Sequence, residues 1–157
     1  MRSDDRGVSV AVGYVLGLGI ATLLFSVLLI GGSGMIENQT QTVTYDQLSV
    51  TGQQLAADLS GVDRLVRAGG GGDGAGLSEV SLRTDLPNSV AAGGYTIEIT
   101  YTEADDTGTI ELRSSSPDVV VSVPFRSVTP VRGTTIGGGT VETHYDGSED
   151  ELVVESV

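Results

Sequence analysis

The pattern of apolar and polar positions divides the chain into three regimes. Residues 8–30, VSVAVGYVLGLGIATLLFSVLLI, contain no charge at all. Coiled as a helix at 1.5 Å per residue, these 23 residues are roughly 35 Å long, enough to cross a hydrocarbon core of about 30 Å with some tilt. The pattern predicts a transmembrane helix over 8–30. A secretory signal peptide fits less well, because its apolar core usually runs only about 7–15 residues before a small-residue cleavage site, and Gly32-Ser33-Gly34 is a poor site of that kind.

The second regime, 31–67, opens on Gly31-Gly32-Ser33-Gly34, where each Gly weakens a helix by about 1 kcal/mol. A hinge is expected there. From Met35 to Arg67 there is no proline, and Tyr45, Leu48, Leu55, Leu59, Val62 and Val66 recur at helical spacing. Gln47, Ser49, Gln53, Gln54, Asp58 and Asp63 are assigned to the opposite, solvated face. This amphipathic helix is expected to seat against a β-sheet head; a coiled-coil reading fails because the heptads are few and Gly52 interrupts them.

Residues 68–76 include the run GGGGDGAG and read as a flexible linker. No following Lys and no strand–loop–helix context supports a phosphate-binding loop. From Leu77 the period changes to two, predicting the third regime, a β-rich domain over 77–157. Tyr95 to Tyr101, the turn Asp105-Asp106-Thr107-Gly108, and Thr109 to Arg113 predict a hairpin. Val119 to Val123 is a further strand closed by Pro124, Phe125 to Val131 a short irregular one, and Thr140 to Tyr145 with Glu151 to Val157 a C-terminal hairpin. About six strands are expected, as a minimal sandwich or a single sheet against the helix. The fold class is α+β: a long N-terminal helix, half membrane-spanning and half amphipathic, followed by a small antiparallel β-sheet domain. With Phe125 as its one phenylalanine, the domain's core is thin and is expected to need the helix stripe.

Charge narrows the setting. The chain has 21 acidic and 8 basic residues, a net −13, and every base is Arg. An excess of carboxylates keeps a protein soluble where salt screens their repulsion, with a Debye length of about 3 Å at 1 M. A halophilic archaeal host is inferred. No basic face exists to meet nucleic-acid phosphates, and the absence of Cys removes disulfides, thiolate catalysis and Cys-based zinc sites. No cofactor or metal is expected. Arg2 and Arg6 lie ahead of the apolar stretch and no base follows it until Arg64, which predicts a cytoplasmic N-terminus and an extracellular remainder.

Arg6-Gly7-Val8-Ser9, directly ahead of a long apolar helix, resembles the class III signal peptide of archaeal type IV pilins. The resemblance implies that a prepilin peptidase removes leader residues 1–7 by cutting between Gly7 and Val8, with Arg6 as the basic determinant and Val8 the mature N-terminus. It further implies that the helix then packs against those of other pilin-like subunits in a surface filament. Where that pattern often continues with proline this chain has Val10, and Val12 stands where bacterial pilins carry glutamate. A minor, pilin-like role that primes or caps assembly is therefore expected over that of a major subunit. The alternative is an uncleaved single-pass surface protein whose β-domain binds a partner.

Within the apolar helix Gly13, Gly17 and Ala21 recur every four residues, a spacing that lets helix backbones approach closely in lipid. Asn38-Gln39-Thr40 is a candidate N-glycosylation site. The single histidine, His144, has Glu142 on the same strand face, but no nucleophile is marked nearby and no enzymatic activity is expected. The acidic turns at 103–106 and 146–151 do not match the spacing of a calcium-binding EF-hand loop and read as solvated turns.

Overall fold

The computed structural model describes residues 4–69, 80–91 and 93–157, with the backbone alone for residues 4–9 and 31–38. It is of the α+β class and divides into two compact units, Met1–Gln39 and Thr40–Val157. A single helix, α1 (Asp4–Ala68), contributes to both. The stretch Gly31-Gly32-Ser33-Gly34 falls inside α1 and not between two helices. The predicted linker lies almost wholly outside the described residues; of it only Ala68, the last helical residue, and Gly69, whose N–H closes the final turn on Leu65 O at 2.9 Å, are seen.

In the first unit, α1 is one helix long and apolar enough to cross a membrane, over Val10–Ile30. Its two aliphatic hydroxyls there are satisfied internally, Thr22 Oγ1 donating to Leu18 O at 2.8 Å and Ser26 Oγ to Thr22 O at 2.9 Å. Neither hydroxyl needs water, which is what a hydrocarbon setting demands.

In the second unit, the helix supplies one wall of the core. Leu48, Leu55, Leu59 and Val62 are completely buried and Val66 nearly so. Two expectations about this stripe are corrected. Tyr45 is exposed, and the buried position belongs to Thr44, four residues before Leu48; its hydroxyl becomes tolerable there by donating to Thr40 O at 2.8 Å. Asp63 is buried, because it stands four residues after Leu59 and so on the same face. Gly52, read as an interruption, lets the helix backbone approach the sheet closely. A Cβ there would stand 2.7 Å from Leu112 Cδ1 and 2.8 Å from Val123 Cγ2.

Among the described residues seven strands follow, where about six are expected. β1 (Ser81–Asp85), β6 (Thr140–Asp146) and β7 (Glu151–Ser156) form an antiparallel sheet in the order β1-β6-β7. β2 (Tyr95–Thr102), β3 (Thr107–Ser115), β4 (Asp118–Arg126) and β5 (Thr134–Gly137) form a second, in the order β4-β3-β2-β5. β5 had no sequence counterpart, since TTIG is too short to display a period. β4 does not close at Pro124 but runs through it to Arg126. A sheet edge tolerates a residue without an N–H, and the predicted strand beyond Phe125 is irregular chain from Ser127.

One core unites these elements. Leu55, Leu59 and Val62 of the helix share it with Ile97, Ile99, Ile110, Leu112 and Val121 of one sheet and with Val141, Leu152 and Val154 of the other. Burying an aliphatic side chain stabilises by about 1.5–3 kcal/mol. The five helix residues together therefore match the net stability of a typical domain, about 5–15 kcal/mol, so the strands depend on the helix stripe.

Candidate functional site

The apolar segment of α1 and the polar clusters of the β-domain are the two places where side chains are arranged for more than packing. Along Val10–Ile30 no residue is buried. Leu16, Leu23, Phe25, Leu28 and Ile30 all expose more than half their surface, far more contiguous apolar area than an aqueous surface normally carries. Gly13, Gly17 and Gly19 have nothing within 4 Å of where a Cβ would sit, and Ala21 is exposed. A step of four residues advances a helix by about 400°, so Gly13, Gly17 and Ala21 lie along one narrow strip. That strip exposes main chain to whatever packs on it.

The other N-terminal residues singled out by the sequence are seen only as backbone. Arg6, Gly7 and Val8 lie within α1, as does Asn38, and their side chains are outside the described residues.

In the β-domain the most constrained polar group is the Asp63 carboxylate. Its Oδ1 accepts the main-chain N–H of Thr129 at 2.9 Å, and its Oδ2 accepts Arg67 Nε at 3.1 Å. Burial pushes its pKa up, but the hydrogen bonds from Thr129 and the Arg67 guanidinium outweigh this and hold it below the ordinary carboxylate value. The segment it grips is pinned again by Tyr101, whose hydroxyl donates to Ser127 O at 2.8 Å, and internally by Ser127 Oγ donating to Thr129 O at 2.7 Å. This network fastens the β4–β5 connection to the helix. Asp63 went unrecognised in the sequence, although its spacing, four after Leu59 and four before Arg67, was the available signal.

His144 and Glu142 are not brought together as an acid–base pair. Glu142 Oε2 is taken by Arg83 at 2.9 Å, which with other contacts holds its carboxyl below the usual range. The nearest carboxylate to His144 is Glu155, at 4.0 Å. The acidic turn after β6 is likewise committed within the chain: Asp146 Oδ1 accepts Ser148 N at 3.0 Å, Tyr145 donates to Asp150 at 2.6 Å, and Arg132 bridges Glu151 and Asp146. Hydrogen bonds from Ser148 hold the Asp146 carboxyl low, while Asp150 pushes the Tyr145 phenol up. Among the described residues no group of three or more His, Asp or Glu is placed to hold a metal.

Comparison with known proteins gives one match, over residues 3–156, to a family described as "Family of unknown function (DUF7266)". No curated protein and no solved structure matches the chain.

Proposed function

We propose that the chain, which belongs to the family of unknown function DUF7266, is a pilin-like structural subunit. In this reading it is a minor component of an archaeal type IV pilus-like filament in a halophilic host. The observation that carries the proposal is the double use of α1: apolar and wholly exposed along Val10–Ile30, and part of a β-domain core from Leu48 to Val66. An assembly subunit needs this division, one stretch of helix to store in lipid and then pack against copies, and one to hold a folded head.

The steps follow from the chemistry of each segment. Lipid receives the Val10–Ile30 span, with the N-terminus cytoplasmic and the β-domain outside. Prepilin peptidase cuts between Gly7 and Val8, leaving the apolar helix on the mature protein. Helices of neighbouring subunits then approach along Gly13, Gly17 and Ala21, where the missing side chains allow backbone contact and dispersion replaces lipid contacts. Asn38 is the candidate glycan acceptor, and the net charge of −13 suits a surface bathed in concentrated salt.

The test is the N-terminal sequence and intact mass of protein recovered from membranes and from sheared surface filaments, with and without prepilin peptidase. A peptidase-dependent start at Val8, present in the sheared fraction, is the expected result. An intact leader on protein found only in membranes would refute the proposal and leave an uncleaved single-pass surface protein whose β-domain binds a partner.

A further inference from the structure

We propose that strand β4 pairs along its free edge with β4 of a second copy of this chain, antiparallel and centred on Ser122. β4 is the terminal strand in the order β4-β3-β2-β5 and is nine residues long, so one row of its main-chain N–H and C=O groups faces no other strand among the described residues. Pro124 identifies that row. It sits in the ladder opposite Thr109 and has no N–H to give, a placement that sheets accept where the nitrogen points away from the neighbouring strand. Main-chain direction alternates residue by residue, so Asp118, Val120, Ser122, Pro124 and Arg126 share the outward row, and all five are exposed.

Long edges rich in β-branched residues invite pairing unless they are blunted by charge, by proline, by twist or by a cover, and Pro124 is such a device within β4, withholding one donor from each strand of the pair. β4 carries three consecutive valines, and its charges lie only at its ends, Asp118 at one and Arg126 at the other, each four residues from Ser122. Pairing about Ser122 sets Asp118 opposite Arg126 of the second copy, Val120 opposite Pro124, and Ser122 opposite itself. Two-fold symmetry repeats each contact, so the two strands form two ion pairs from one self-complementary segment. Both charged side chains are available for this. Arg67, Arg83, Arg113 and Arg132 each hold a carboxylate of their own chain, whereas neither Asp118 nor Arg126 has a side-chain partner among the described residues. The two missing Pro124 donors fall symmetrically, one in each half of the ladder. This pairing is independent of leader processing and of the filament reading, since it uses only the β-domain, and the two fail separately.

The chain has no Cys, so one introduced thiol reports the pairing. Directly opposed residues of a hydrogen-bonded antiparallel pair have Cα atoms about 5.5 Å apart, inside the roughly 4.4–6.8 Å range of disulfides. Full-length S122C in membranes, oxidised at a salt concentration that keeps it folded, is expected to give a disulfide dimer, and T96C, on interior strand β2, is not. D118R or R126D added to S122C places like charges opposite each other at both ends and is expected to lower dimer yield about tenfold. The double exchange D118R/R126D should restore it, with thermal melts verifying the fold of each variant. An S122C yield no higher than that of T96C, single exchanges without effect, or a double exchange that fails to restore the dimer would each overturn the proposal.

Discussion

Asp63 offers the sharpest test of how the β-domain is held together, because three substitutions there and at Arg67 separate its contributions. Asp63→Ala removes the acceptor of a buried main-chain N–H, that of Thr129, and leaves it unpaired. An orphaned buried donor costs about 1–3 kcal/mol. Loss of the Arg67 contact adds little, since the arginine is half exposed and such pairs contribute about 0–1 kcal/mol. The expected total is about 1–4 kcal/mol. Asp63→Asn keeps an oxygen for Thr129 but gives up the charge, and a neutral hydrogen bond is weaker by about 1 kcal/mol than one to a carboxylate. Arg67→Ala should cost no more than about 1 kcal/mol.

The pH dependence has a defined sign. The carboxyl of Asp63 is held below its ordinary value in the folded chain, so its stabilisation is complete above the unfolded carboxylate value, about 3.9, and is lost as pH falls through the folded one. The gap between wild type and Asp63→Asn should therefore be full at pH 7 and shrink below about pH 4. Urea unfolding of the full chain in detergent, at fixed salt and followed by far-UV circular dichroism, measures it. Equal stability of Asp63→Asn and wild type at pH 7, or a gap that persists unchanged to pH 3, would refute the assignment of Asp63 as an ionised anchor.

Other outcomes follow from the core and from charge. Leu59→Ala empties a completely buried position between helix and strands and should cost about 2–5 kcal/mol, read as a lower urea midpoint with an unchanged slope. Gly108→Ala should be strongly destabilising, by about 1–3 kcal/mol or more: the new Cβ would lie 2.6 Å from Thr100 O and clash with Cζ and Cε1 of Phe125, a ring that stacks with Tyr101 at 6.4 Å. A melting temperature that matches wild type would refute that packing. With a net charge of −13, raising KCl from about 0.1 to 2 M should raise the melting temperature of the β-domain, as the Debye length shrinks from about 10 Å to under 3 Å. A flat response would show that carboxylate repulsion does not limit stability.

The elements legible in the sequence were those whose period runs long enough to stand above noise. The uncharged run to Ile30, the alternation of Tyr95 to Tyr101 and the hairpin closed at 146–150 are all found where their patterns put them. What was illegible depended on partners distant in the chain. Thr44 and Asp63 look like surface residues until Thr40 O and Thr129 N–H are supplied. Gly52 reads as a flaw in a helix until Leu112 and Val123 are brought against it. Pro124 reads as a strand end unless β4 is known to be an edge. At the N-terminus the case differs: in the reading proposed above, Arg6, Gly7, Val8 and Asn38 would carry their signal in residue identity, which packing does not reveal.

The shared core also sets a timetable. Leu48 to Val66 are made before any strand, yet they lie in one cluster with Leu152 and Val154, among the last residues of the chain. β6, the middle strand of its sheet, waits on one side for β7. Contacts of such sequence separation form late and slowly. Until β7 emerges, the helix stripe has the β4-β3-β2-β5 sheet against it but lacks Leu152 and Val154, so the unfinished chain is most vulnerable to aggregation and proteolysis during synthesis, and loss of β7 would leave the early helix short of part of its core.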